Sequence, residues 1–204
     1  MQLENGKTYK VTNAKGGTVL DLSGGQDQSP ITGYNFNGGD NQKWVAEQQD
    51  QRWRFRNPAT GLFMGYSGDP NNNTPVKAMQ NPTMWDMKPD QKKPDAMRAY
   101  VAGTDFCLDL SGQGNSSPGT PVTLWKKWDG ENQTWRFEQD ILSDNLKAKS
   151  PVSAKAINED HVFPKGESPY FGRWAHTVAN VNLGANAQLN LQKVITYQHT
   201  PSTH

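Results

Sequence analysis

Two stretches of the chain place a carboxylate, an aromatic ring and an amide in the same order and at similar distances. The members are Asp21, Tyr34 and Asn41 in the first stretch, and Asp109, Trp125 and Asn132 in the second. A carboxylate accepts strong hydrogen bonds from neighbouring hydroxyl groups, and an amide both donates and accepts. An aromatic ring adds a flat apolar face. Together these groups suit a ligand that has adjacent hydroxyls and a flat patch of C–H bonds.

The two sets belong to a longer internal repeat. VLDLSG at 19–24 returns as CLDLSG at 107–112, and each copy is followed by Asn-Gln-x-Trp, at 41–44 and 132–135. A weaker third copy, FMGYSG, lies at 63–68, and successive anchor positions are 44 residues apart. A fixed period of this length indicates a repeat architecture in which one unit cannot bury its apolar face alone.

Each repeat shows short apolar stretches separated by turn residues, which is typical of strands. We expect four strands in each of the units 1–47, 48–95 and 96–140. Three such units can close into an all-β fold, the β-trefoil. Because side chains alternate along a strand, we expect Leu20 and Leu22 to point into the core and Asp21 to point outward.

Residues 141–204 lack the repeat and form a C-terminal extension. Partial alternation at 183–197 predicts one or two strands there. We expect the extension to pack against the repeats or to form a homodimer contact, with a small effector element as the alternative. All four histidines lie in it, and their spacing matches no metal-ligand pattern.

Composition excludes several function classes. The net charge of +1 argues against a nucleic-acid surface, and no stretch approaches the roughly 20 apolar residues that membrane insertion requires. Cys107 is the single cysteine, so no intrachain disulfide forms and we interpret it as a small buried hydrophobe. The N-terminus shows no signal-peptide core, which together with the lone cysteine predicts a cytoplasmic location.

The pattern over residues 1–140 resembles the ricin-B-type β-trefoil lectins, most closely their fungal fruiting-body branch. This resemblance implies a non-enzymatic protein without cofactors that binds glycans of glycoproteins or glycolipids. Galactose and N-acetylgalactosamine termini are the usual ligands of the family.

The resemblance also implies which residues bind. Four groups are involved: the Asp of Leu-Asp-Leu, the backbone three residues later, the aromatic ending the third strand, and the Asn of Asn-Gln-x-Trp. In repeat one these are Asp21, Gly24, Tyr34 and Asn41, with Thr32 beside the ring. In repeat three they are Asp109, Gly112, Trp125 and Asn132, with Thr123 beside the ring. Phe36 and Trp128 are competitors for the stacking role. The Gln and Trp of each motif are interpreted as structural.

Repeat two has lost three of these groups. Gly65 replaces the Asp, Met79 the aromatic and Pro82 the Asn, so we expect no site there. Two alternatives stay open. The aspartates could be ordinary turn-capping residues, and the trefoil could be a protein-binding scaffold, either a protease inhibitor or a non-catalytic partner subunit of an enzyme.

Overall fold

A computed structural model of the protein describes residues 2–148, with side chains to residue 146. It contains thirteen strands. In repeat one they are β1 (Thr8–Asn13), β2 (Val19–Leu22), β3 (Ile31–Tyr34) and β4 (Trp44–Gln49). In repeat two they are β5 (Arg52–Arg56), β6 (Phe63–Gly65), β7 (Thr74–Pro75), β8 (Lys77–Met79) and β9 (Trp85–Pro89). In repeat three they are β10 (Met97–Val101), β11 (Phe106–Leu110), β12 (Thr120–Lys126) and β13 (Trp135–Gln139).

Six strands close into a barrel. Going round it, β1 pairs with β4, β4 with β5, β5 with β9, β9 with β10, β10 with β13, and β13 with β1. Each repeat therefore supplies its first and last strands to the closed ring. Closure leaves the barrel without an unpaired edge.

The remaining strands form three hairpins. They are β2–β3, β6–β8 and β11–β12, one from each repeat. Strand β12 also pairs with β3 and with β7, which joins neighbouring hairpins at the pseudo-threefold axis. The predicted β-trefoil is confirmed. In repeat two the expected third strand is split at Val76 into β7 and β8.

The core is built around one tryptophan from each repeat. Trp44, Trp85 and Trp135 are fully buried. Each indole Nε1 donates to a backbone carbonyl of its own repeat, at 3.2–3.3 Å, the acceptors being Leu20, Met64 and Leu108. Trp contributes a large buried area and one polar group that needs a partner, so the repeated bond lets the same residue fill the core three times.

The structure differs from the sequence expectation at the aspartates. Leu20 and Leu22 are buried as expected, but Asp21 and Asp109 are only 6% and 4% exposed. Each lies under its own Asn-Gln-x-Trp segment, which begins with a 3-10 helix, Asp40–Gln42 or Glu131–Gln133, before the last strand. The outward face of the strand is thus covered by a neighbouring segment.

Two further elements were not predicted. A turn of helix, α1 (Ser111–Gly114), follows β11, and helix α2 (Ile141–Ala148) follows β13. The side chain of Asp140 caps α2 by accepting from Ser143, and Asp144 accepts from the Thr8 N–H at 2.9 Å. Helix α2 is therefore fastened to the trefoil. The strands expected within 183–197 lie outside the described residues.

Candidate functional site

In repeats one and three, the hairpin brings the predicted aspartate and aromatic residue onto one face. In repeat three, Asp109 lies opposite Thr123 and Cys107 opposite Trp125. In repeat one, Asp21 lies opposite Thr32, and Tyr34 is two residues further along the same strand. Residues two apart on a strand share a face, so each aspartate and its aromatic lie on the same side of their hairpin.

In repeat three the residues surround a cavity of 490 Å³. Four of the five predicted residues line it: Asp109, Gly112, Trp125 and Asn132. Four further residues complete the wall: Asn73, Ser111, Gln113 and Trp128. Thr123 is not among the lining residues; its hydroxyl lies 3.2 Å from that of Ser111. The threonine therefore supports the wall from behind.

The carboxylate of Asp109 is buried beneath this cavity. Trp128 Nε1 donates to its Oδ2 at 3.4 Å. Burial raises the pKa of Asp109, and the side-chain hydrogen bonds of Gln133, Trp128 and Asn132 oppose that rise without cancelling it. Burial strengthens any hydrogen bond that this carboxylate accepts from a ligand, because competing water is excluded.

Asn132 has one satisfied and one unsatisfied polar atom. Its Nδ2 donates to the Leu110 carbonyl at 3.2 Å. Its Oδ1 is buried, and no hydrogen-bond partner for it is found among the described residues. A buried amide oxygen without a partner is uncommon in folded proteins. Such an atom at a cavity wall is a candidate acceptor for a ligand.

Trp125 and Trp128 form the aromatic part of the wall. Trp125 is half-buried at the end of β12, and Trp128 is 45% exposed in the following loop. The backbone of Trp128 is held on both sides, since its N–H donates to Gln133 Oε1 at 3.0 Å and its carbonyl accepts from Arg98 Nη1 at 3.1 Å. Trp125 is at the surface, as expected.

The loop after β11 shapes the opposite wall. Gly112 and Gln113 have φ angles of 62° and 54°, in the left-handed region, and Gly114 has 84°. Glycine adopts this region without strain, whereas Gln113 is a side-chain-bearing residue in the same conformation. The turn exposes Gly112 at the cavity.

Repeat one holds its aspartate with the corresponding asparagine and glutamine. Asp21 Oδ2 accepts from Asn41 Nδ2 at 2.9 Å and from Gln42 Nε2 at 2.8 Å. The Gly24 N–H donates to the Leu22 carbonyl at 3.1 Å, so this predicted ligand donor already has a partner. Tyr34 is 43% exposed. Its ring is therefore available on the surface.

Thr32 completes the repeat-one set. It is buried opposite Asp21, and its hydroxyl has no hydrogen-bond partner among the described residues. The repeat-one set therefore also contains a buried polar atom without a partner.

Comparison with solved structures identifies proteins of similar sequence and fold. The ricin B-like lectin of Macrolepiota procera, solved in complex with lactose, is 40% identical, with a TM-score of 0.65; the match covers 68% of this chain and 99% of that chain. The chain belongs to the ricin B-like lectin family. A family described as ricin-type β-trefoil lectin domain-like also matches residues 2–79 of this ricin B-like lectin.

Two further structures support the assignment. The Rhizoctonia solani agglutinin is 28% identical, with a TM-score of 0.63, over 69% of this lectin and 99% of that chain. ThreeFoil, a designed threefold-symmetric protein, is 20% identical with a TM-score of 0.59, over 64% of this lectin and 97% of that chain, and shows the fold alone. A comparison with curated proteins gives no match.

Repeat two of the lectin differs from the other repeats around Gly65. A side chain at Gly65 would meet Thr83 Oγ1 at 2.6 Å and Met79 Cγ at 2.9 Å. Three positions separate Met79 from Pro82, whereas seven separate the corresponding residues in the other repeats. Met79 therefore lies close to Gly65, the segment that would carry the amide is shorter, and a cavity of 350 Å³ beside it is lined by Pro82, Thr83 and Met84 among others.

Sequence reasoning missed several contributors to the lectin's repeat-three site. Asn73 comes from repeat two, and the buried pair Asp90–Arg98 supports Trp128 from behind. Asn13 was also missed, although it is fully buried and its Nδ2 donates to the Asn132 carbonyl at 2.9 Å. The 44-residue period could have identified it, because Asn57 lies 44 residues later. The Nδ2 of Asn57 donates to the carbonyls of Asp40 and Lys43, beside the Asn-Gln-x-Trp motif of repeat one.

The remaining candidates carry no chemistry. Within residues 2–148 no group of three or more His, Cys, Asp or Glu could hold a metal ion, and no helix there is long and apolar enough to cross a membrane. Cys107 is buried as expected. Burial raises the pKa of its thiol to about 12, which keeps it protonated and unreactive.

Proposed function

We propose that this lectin binds terminal galactose or N-acetylgalactosamine of glycoproteins and glycolipids through repeats one and three. The observation that carries the proposal is the single cavity that Asp109, Trp125 and Asn132 line together. Three residue types with complementary roles, separated by up to 23 positions in sequence, meet at one wall.

The chemistry of a pyranose matches this wall. The Asp109 carboxylate can accept from two adjacent hydroxyls, and the Trp125 indole can pack against the apolar C–H face of the ring. Asn132 offers the unpartnered Oδ1, which can accept from a further hydroxyl. Repeat one offers the same set in Asp21, Tyr34 and Asn41.

The preference for galactose-type sugars is supported by the Macrolepiota procera relative, whose structure contains lactose, a disaccharide that ends in galactose. Sequence identity of 40% over nearly all of that chain makes a related ligand the best first choice. The glycan screen described below tests this preference directly.

We propose that the protein acts without catalysis. Glycoside hydrolysis ordinarily uses two carboxyl groups that flank the scissile bond. Asp109 is the one carboxylate among the residues that line the repeat-three cavity. This wall can hold a sugar but has no acid–base pair to cleave it.

Binding strength would come from multivalency. A single monosaccharide site of this kind is expected to be weak, about 1 mM, or ~4 kcal/mol. Two sites per chain raise the effective affinity on a glycan-bearing surface.

We propose that a homodimer raises this effective affinity further. Its contact would be helix α2, where Ile141 and Leu142 are exposed. Replacing both with glutamate should halve the mass measured by light scattering; an unchanged mass would exclude this contact.

The deciding experiment is a glycan-array screen of the intact protein beside Asp21→Ala, Asp109→Asn and the double variant. We expect each single variant to lose one of two titratable sites and the double variant to lose all binding. Asp105→Ala is the matched control, because Asp105 is exposed on the turn before β11 and does not line the cavity. Full binding by the double variant would contradict the proposal. A folded parent that binds no glycan would favour the protein-binding scaffold instead.

A further inference from the structure

We propose that the repeat-three site recognises at least two linked sugar units, with Trp128 as the contact for the second. The repeat-one site, by contrast, recognises a single terminal unit. This inference rests on the carbohydrate binding proposed above and extends it to the length of glycan that each site takes.

The first observation is the extent of the repeat-three cavity. Its 490 Å³ lie within the range of about 300–1,000 Å³ typical of ligand pockets. Half of the lining residues lie outside the predicted set, among them Trp128, Gln113 and Asn73. The side chains of the predicted set suffice for one pyranose, so this additional wall is available for a unit linked to it.

The second observation is how firmly Trp128 is placed. Its backbone N–H and carbonyl are bonded to Gln133 and Arg98, and its indole Nε1 reaches Asp109. Arg98 is itself held by Asp90 at 2.8 Å, and both side chains are buried. The indole is therefore positioned before any ligand arrives, which lowers the entropy cost of binding against it.

Gly130 shows that the indole lies directly on the backbone. A Cβ at this position would be 2.4 Å from two ring carbons of Trp128. Any side chain at 130 would displace the ring. The Cζ2 and Cη2 atoms of the indole thus lie against the Gly130 backbone, while nearly half of Trp128 stays exposed. A sugar linked to the unit held by Asp109 would meet this exposed surface.

The polar groups at the rim fit the same ligand. Asn73 and Gln113 are exposed and line the cavity together with the two indoles. Side-chain amides donate and accept hydrogen bonds, and an aromatic face packs on C–H groups. An alternation of amides and rings matches a short glycan better than it matches an ion or a purely apolar ligand.

Repeat one has the same backbone arrangement without the ring. Asn37 corresponds to Trp128, because its N–H donates to Gln42 Oε1 at 2.8 Å, as the Trp128 N–H does to Gln133. Phe36 does not substitute for the missing indole. It lies under Lys10 Nζ, 4.9 Å from the ring centre, and lines a separate cavity beside α2.

The test compares galactose with lactose by calorimetry in an Asp21→Ala background, which leaves repeat three alone. We expect lactose to bind more tightly than galactose. Trp128→Asn should weaken lactose binding about tenfold more than galactose binding, the size expected for one aromatic anchor, because galactose loses only the effect of the indole on Asp109. Asparagine is chosen because repeat one carries it and because it keeps the N–H bond to Gln133.

The control is Asn37→Ala in an Asp109→Asn background, where the lactose-to-galactose ratio should not change. Equal losses of both sugars in Trp128→Asn would overturn the inference, as would no loss at all. If the folded Asp21→Ala protein binds neither sugar, the proposed function of repeat three itself fails. Thermal unfolding of each variant establishes that the chain is folded.

Discussion

Asp109 shows how one carboxylate serves both the fold and the site. It lies under the 3-10 helix of its own repeat, and burial raises its pKa while three side-chain donors partly compensate. Binding through hydroxyl donors needs the ionised form, because charged acceptors make the stronger hydrogen bonds. A residue that is buried enough to bind well is therefore also easier to protonate.

This predicts a pH dependence for the repeat-three site. Affinity should fall as the pH is lowered through the raised pKa of Asp109, which lies above the ordinary value of 3.8. Calorimetric titration of the Asp21→Ala variant between neutral and acidic pH measures the midpoint. A midpoint at or below 3.8 would contradict the assignment.

The folding stability of the unbound protein depends on pH in the opposite direction. Because the pKa of Asp109 is raised in the folded state, its contribution to stability is fully present below the unfolded pKa and is lost as the pH rises through the folded pKa.

Strand β10 and the segment before it hold Trp128 in place. Arg98 and Asp90 form an ion pair at 2.8 Å, and their side chains are only 6% and 8% exposed. Burial opposes the ionisation of Asp90, but the hydrogen bond and charge of Arg98 and two backbone N–H groups outweigh it and lower its pKa. Because Arg98 also bonds Gln133 and Trp128, this pair connects β10 to the aromatic wall.

Removing Arg98 should destabilise the protein more than removing Lys10, the corresponding cation of repeat one. Arg98→Met leaves a buried carboxylate unpaired and should lower the free energy of unfolding by about 3–5 kcal/mol. Lys10 is the matched control, since it lies eleven residues before Asp21 as Arg98 does before Asp109. Its pair with Glu138 is largely exposed, so Lys10→Met should cost at most about 1 kcal/mol. Chemical denaturation measures both, and equal costs would contradict the structural role of the buried pair.

For the molecule as a whole, repeat two contributes to closure without carrying the Asp, aromatic and Asn set of the other two repeats. Strands β5 and β9 complete the barrel, and Trp85 is as deeply buried as Trp44 and Trp135. Its indole makes the same backbone bond as theirs. The fold therefore keeps all three tryptophans, while the Asp, aromatic and Asn set is present in two repeats.

Trp85→Ala should consequently cost about 3–5 kcal/mol of unfolding free energy, although its repeat lacks the predicted binding residues. The loss is a large part of the roughly 5–15 kcal/mol available to a typical domain. Denaturation of the variant beside Met79→Ala checks this, because Met79 is half-buried in the same repeat. If Met79→Ala were as costly as Trp85→Ala, the core role given to the tryptophan would be wrong.

The sequence by itself determined the fold and half of the residues that line the repeat-three cavity. The 44-residue period, the leucines around each aspartate and the repeated Trp are local patterns, and period-2 alternation converts them directly into strands and a core. The losses at Gly65, Met79 and Pro82 predict that repeat two has no site, and a side chain at Gly65 would lie 2.6 Å from Thr83 Oγ1 and 2.9 Å from Met79 Cγ.

Only the tertiary structure decided what surrounds those residues. The burial of Asp109, the contact of Trp128 with it, and the approach of Asn73 from another repeat join segments that are distant in sequence. The two nearly identical motifs also differ in one hydrogen bond, because the Trp128 indole donates to Asp109 whereas repeat one has Asn37 at the corresponding position. Such differences arise from packing between elements, which a repeat pattern along one chain does not encode.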